Sequence, residues 1–93
     1  MAVYKLPADF TIYNVEEVWR DLKAVADGEL TIDASEVRDL DGAAVQLLVS
    51  TYKTVPHLRL TNPSEEFRLL VSLAGWNLEA VGVDANEDSD DRR

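Results

Sequence analysis

The sequence predicts an α/β fold: a single domain with a small mixed β-sheet and helices packed mainly on one face. Two patterns carry that expectation. Stretches such as Glu29-Leu30-Thr31-Ile32-Asp33 alternate apolar and polar residues, the period of a strand with one buried face. Between them lie segments whose apolar residues recur three and four apart, the period of a helix with one buried stripe. A chain of 93 residues has material for one core. Both patterns must therefore close on the same sheet.

Ala2-Val3-Tyr4-Lys5-Leu6 alternates loosely and is expected as the first strand, ended by Pro7. Phe10-Thr11-Ile12-Tyr13 reads as a second short extended piece. Asn14 then caps a helix in which Val15, Val18, Trp19, Leu22 and Val25 or Ala26 share a face. Glu16 and Glu17 in its first turn and Lys23 near its end suit the helix dipole. Asp27-Gly28 stops it, with Gly28 as a left-handed cap. Glu29 to Asp33 follows as a strand with Leu30 and Ile32 inward, and 34–39 is read as a connection with local hydrogen bonds from Ser35 and Asp39.

A second helix is expected from Gly42 to Tyr52 or Lys53, buried through Ala44, Leu47, Leu48 and Thr51. Pro56 forbids its continuation. His57-Leu58-Arg59-Leu60 is the next strand, with Leu58 and Leu60 inward. Ser64 caps a third helix carrying Phe67, Leu70, Val71 and Ala74, and Gly75 ends it. Trp76 to Val83 should pack back as a loop or a last short strand. The domain is thus placed at 1–83. The acidic tail 84–93 has too little apolar surface to offset its ordering entropy and is expected to be disordered.

Composition excludes several partners. Eighteen acidic against 9 basic residues give a net charge of −9, which opposes nucleic acid and an anionic membrane surface. No apolar run approaches a membrane span, and the N-terminus lacks the apolar core of a signal peptide. The chain has no cysteine, so disulfides, thiolate metal sites and cysteine nucleophiles are absent. A cytoplasmic location is the expectation.

Candidate chemistry concentrates at one turn. Asp41 is a good N-cap, able to accept from the N–H of Ala43 or Ala44, and it sits where the helix dipole favours an anion. Gly42, Ala43 and Ala44 follow, so the helix starts almost as bare backbone and lets another surface approach closely. On spacing alone the same residues also describe an ordinary capped helix. His57, the one histidine, has no spaced partner acid or nucleophile. Asp39 and Asp41 are too few for an oxygen-ligand metal site. The glycines form no phosphate-binding fingerprint, and no serine sits in a nucleophile elbow. These features name no catalytic residue, metal or cofactor, and an enzyme is not expected. Tyr52 and Trp76 are either exposed interface anchors or part of the core.

Four segments in order resemble the STAS domain, the fold of bacterial anti-sigma-factor antagonists. Leu6-Pro7-Ala8-Asp9-Phe10-Thr11-Ile12 is similar to the family's "L-x-G-x-L-T/D" before the first helix, and Leu30 to Val37 resembles its strand leading into "D-x-S-x-V". Leu40-Asp41-Gly42-Ala43-Ala44-Val45-Gln46-Leu47-Leu48 is similar to the signature loop and its aliphatic helix, and Leu58 to Ser64 to the strand and "N-P-S" turn.

The resemblance implies a regulatory, non-catalytic protein-binding module. In the antagonists a serine or threonine just after the aspartate is phosphorylated, adding nearly two negative charges and blocking the partner. Here those positions are Gly42 and Ala43, which cannot accept phosphate, and Ala44 replaces the signature glycine. Ser35, Ser50 and Thr51 remain as available hydroxyls. The expected partner-binding residues are Asp39, Asp41, Gly42, Ala43, Ala44, Val45, Gln46 and Val49, with Val45, Gln46 and Val49 on an exposed helix face. The resemblance implies an anti-sigma factor or kinase, or a chemotaxis-type histidine kinase, as partner. Its alternative is the ATPase of a phospholipid ABC transporter; a nucleotide or small anion, suggested only by the small-residue helix start, ranks last because Asp41 would repel a phosphate.

Overall fold

The computed structural model describes residues 2–25, 28–55 and 57–83. Expectations for Ala26, Asp27, Pro56 and the tail 84–93 lie outside the described residues. Among the described residues, five strands, three α-helices and a 3-10 helix follow in the order β1 (Ala2–Lys5), β2 (Asp9–Phe10), α1 (Val15–Val25), β3 (Glu29–Asp33), β4 (Asp39–Leu40), α2 (Gly42–Thr54), β5 (His57–Thr61), α3 (Glu65–Leu73) and a 3-10 helix at Leu78–Val81.

The main sheet has the order β1-β3-β5, and β2 pairs separately with β4. Each of these pairings is parallel, so the described strands contribute no antiparallel pair to the mixed sheet that was expected. Parallel neighbours need a crossover between them, and α1 and α2 supply it. In register, Tyr4 lies beside Ile32 and Ile32 beside Leu60, while Leu30 lies beside Leu58. The four aliphatic residues of β3 and β5 on this face are buried, whereas Val3, Lys5, Glu29, His57 and Arg59 on the other face are exposed.

That buried face forms one cluster with Val18 and Leu22 of α1, Ala44, Val45, Leu48 and Val49 of α2, and Phe67 and Val71 of α3. The α/β class and the packing of helices mainly on one face follow from it. Each fully buried aliphatic or aromatic side chain contributes roughly 1.5–3 kcal/mol by leaving water. Tyr4 ties β1 to α1: its hydroxyl donates to the Asp21 carboxylate at 3.1 Å. Burial first, and then Asp21 and Glu17, push the Tyr4 phenol up to about 12.

Trp19 departs from the expected helix face. It is 45% exposed, and the Lys23 ammonium sits 4.1 Å from its ring centroid one turn on. The piece expected as extended through Tyr13 stops at Phe10, because residues 11–14 form a turn closed by Asn14 N–H donating to the Thr11 carbonyl at 3.0 Å. Asn14 precedes α1, and its carbonyl accepts the first helical bond from Val18 N–H at 3.0 Å. Its side chain faces upstream, accepting from Thr11 N–H at 2.9 Å and donating to the Asp9 carbonyl. Asp39, expected at the end of a connection, instead forms β4 with Leu40.

At the C-terminal side, α2 runs to Thr54 and Val55 leaves helical geometry at φ −95° and ψ 119°. The segment after α3 forms the 3-10 helix, and then Val83 makes a parallel bridge to Leu60. Gly82 makes that approach possible. At its φ of +99° an added Cβ would come within 2.6 Å of the Leu58 side chain.

Candidate functional site

The site is built from the β2–β4 ladder. Asp9 pairs with Asp39 and Phe10 with Leu40, while Arg38 and Asp39 both donate to the Ala8 carbonyl, at 2.7 and 3.0 Å. Phe10 and Leu40 point inward and are buried, so the alternation of a strand sends Asp9 and Asp39 out to solvent. Directly after this ladder the chain reaches Asp41.

Asp41 is extended, at φ −119° and ψ −179°, and half-buried. One carboxylate oxygen accepts from Ala44 N–H at 3.1 Å and the other from Ile12 N–H at 2.8 Å. Its carbonyl accepts from Val45 N–H at 3.1 Å, the first bond of α2. The cap expected from sequence is therefore present at Ala44. The tie to Ile12 was not foreseen, because 29 residues separate the two and no local pattern signals the contact. Both carboxylate oxygens thus serve backbone donors, and Asp39 Oδ1 likewise accepts from Leu40 N–H at 2.9 Å. This group acts as a clamp on two segments.

The structure divides the expected partner-binding residues. Asp39, Gly42 and Gln46 are exposed, and Asp41 and Ala43 are half-buried. Ala44, Val45 and Val49 are buried, at 0%, 1% and 4% exposure, so Val45 and Val49 do not belong to an exposed face. The reason is that α2 is packed along two adjacent rows, 44-48-51 and 45-49, rather than along one stripe. The exposed row runs through Gly42, Gln46, Ser50 and Lys53. A Cβ added at Gly42 would meet nothing within 4 Å.

Of the three hydroxyls read as available, Ser35 and Ser50 are exposed. Thr51 is not available: it is 8% exposed and its hydroxyl donates to the Leu47 carbonyl at 2.7 Å. Tyr52 is 42% exposed, whereas Trp76 is partly buried against the core. Exposed His57 begins β5, donating its backbone N–H to the Gly28 carbonyl at 3.2 Å.

Two side chains beside the clamp carried no sequence signal for a site, since they read as part of a strand. Ile12 is 58% and Tyr13 94% exposed. They stand on the turn that Asp41 holds.

The chain matches the family model described as "Mlab, STAS domain" over residues 2–81. It belongs to the STAS domain family. No curated protein and no solved structure matches it. STAS domains are in general binding or regulatory modules without catalytic activity, acting through protein–protein contact. Among the described residues, no helix of this STAS domain is long and apolar enough to cross a membrane.

Proposed function

We propose that this STAS domain is a cytoplasmic regulatory module that docks on a signalling kinase or anti-sigma factor. The contact is the Asp41 turn and the exposed row of α2, with Gly42, Ala43 and Gln46 at its centre and Asp39 at its edge. The observation that carries the reading is the clamp itself. Asp41 fixes the start of α2 from two sides, and what it fixes is a short run of small residues that a partner can approach closely. Gly42 and Ala43 carry no hydroxyl, so docking here proceeds without phosphorylation at the loop.

A second reading keeps the surface and changes the partner to the ATPase of a phospholipid ABC transporter. The matched family description, "Mlab, STAS domain", is what keeps this reading beside the first.

Gly42→Glu tests both. The position has open space and lies at the first turn of a helix, where an acidic residue is favoured and glycine is not. The variant should fold at least as stably as the wild type. Proteins captured from the native cytoplasm by the wild type and lost with Gly42→Glu would be identified by mass. A kinase or receptor-coupled signalling protein supports the first reading, and a transporter ATPase the second. If nothing is lost, the Asp41 turn is only a well-capped helix start.

A further inference from the structure

We propose that the turn carrying Ile12 and Tyr13 is the second half of the docking surface, and that the whole surface fits a basic amphipathic helix of a partner protein. The inference rests on the docking role of the α2 start and adds to it the chemistry of the partner.

The turn is held firmly while its side chains point outward. Ile12 N–H donates to Asp41 at 2.8 Å, Tyr13 N–H to the Thr11 hydroxyl at 3.3 Å and Thr11 N–H to the Asn14 side chain at 2.9 Å. With Asn14 N–H on the Thr11 carbonyl, four consecutive backbone donors are satisfied within the turn or by Asp41. Scattered exposed apolar residues are common on proteins. Two adjacent large ones on a tethered backbone, next to a small-residue helix start, are different. They present an anchor whose ordering cost has been met in the free protein.

Charge sets the partner's sign. Residues 8–17 and 39–49, which make up both halves of the surface, contain Asp9, Glu16, Glu17, Asp39 and Asp41 and no lysine, arginine or histidine. Asp9, Glu16, Glu17 and Asp39 are all exposed, and Asp9 and Asp39 are paired on the ladder that leads to Asp41. Outside both segments the nearest cations in sequence are Arg38, exposed and next to Asp39, and then Lys5 and Arg20. An exposed apolar pair on segments whose charges are all acidic is complementary to a helix with leucine-like residues on one stripe and lysine or arginine beside it. The small side chains at Gly42 and Ala43 let such a helix lie close to the start of α2. An anionic lipid surface carries the wrong sign.

The test uses the full chain and a synthetic helical peptide with leucines at i, i+3, i+4 and i+7 and lysines elsewhere. A second peptide has glutamate in place of each lysine. In an amide-resonance titration, the basic peptide should shift residues 11–14 and 41–46 and bind more weakly as salt is raised. Tyr13→Ser, at a position too exposed to affect folding, should weaken it by about tenfold or more. Shifts confined to other surfaces, undiminished binding to Tyr13→Ser, or equal binding of the acidic peptide would each overturn the proposal. A native partner lost with Gly42→Glu but retained by Tyr13→Ser would also overturn it, while leaving the docking role of the α2 start intact.

Discussion

Asp41 accepts the Ile12 backbone N–H at 2.8 Å, joining two segments 29 residues apart in the chain. Its other oxygen caps α2 through Ala44 N–H at 3.1 Å. Hydrogen bonds to an ionised acceptor are stronger than neutral ones, and here one carboxylate makes two. The helix start and the turn beside it are consequently positioned by the same side chain. Both halves of the proposed surface are thus hydrogen-bonded to Asp41.

Asp41→Ala should remove the cap and the tether together. A lost N-cap costs about 0.5–2 kcal/mol, and the released Ile12 donor adds to that only as far as water fails to replace the bond. The urea midpoint should fall, and hydrogen exchange at the Ile12 amide should speed up relative to amides of β3. Asp41→Asn keeps an acceptor oxygen and should retain part of the stability. An Ile12 amide that exchanges at the wild-type rate in Asp41→Ala would show that the tether contributes nothing in solution.

The long elements were legible because their periodicity is strong and local. Leu30, Ile32, Leu58 and Leu60 fall inward as alternation requires, and Gly28 and Gly75 adopt the positive φ expected of helix caps. Ser64 and Asp41 cap where a short polar residue precedes a helical pattern. What was missed is short or distant. A second strand was expected from Phe10, but a two-residue strand such as Asp9–Phe10 has no period and aspartate is a poor strand former, so its bounds and its pairing with β4 are set by tertiary contact alone. Val45 and Val49 were placed on the outside because a single stripe was assumed for a helix that buries two rows. Ile12 and Tyr13 looked like strand residues until the Asp41 contact turned the chain.

Asp33 gives the "D-x-S-x-V" stretch a physical reason. Its carboxylate accepts from Ser35 N–H at 2.9 Å, which turns the chain after β3. That bond is the main cause holding the Asp33 carboxyl below its ordinary 3.8; the Ser35 side chain and Lys5 assist, and partial burial opposes. A folded-state value below the unfolded one contributes stability above pH 3.8 that is lost as pH falls through the folded value. Asp33→Ala should accordingly lower the urea midpoint at neutral pH, and the difference from wild type should shrink as pH drops below 3.8. A difference that stays constant into acid would assign the loss to something other than the ionised carboxylate.

Ser64 makes two bonds that a single substitution can separate. Its hydroxyl oxygen accepts from Phe67 N–H at 3.0 Å, capping α3, and the same hydroxyl donates to the Val37 carbonyl at 2.7 Å. The second bond pins the connection that leads into β4 and from there to Asp41. Serine and aspartate are about equally good N-caps, but an ionised aspartate has no proton to donate. Ser64→Asp should preserve the cap and lose the bond to Val37, placing a carboxylate against a carbonyl. We expect Ser64→Asp to be less stable than wild type by about 1–3 kcal/mol, read as the urea midpoint. Ser64→Asn, which can accept and donate at once, should lie between the two. Equal stability of Ser64→Asp and wild type would mean that only the cap matters, and that the position of β4 relies on its pairing with β2 alone.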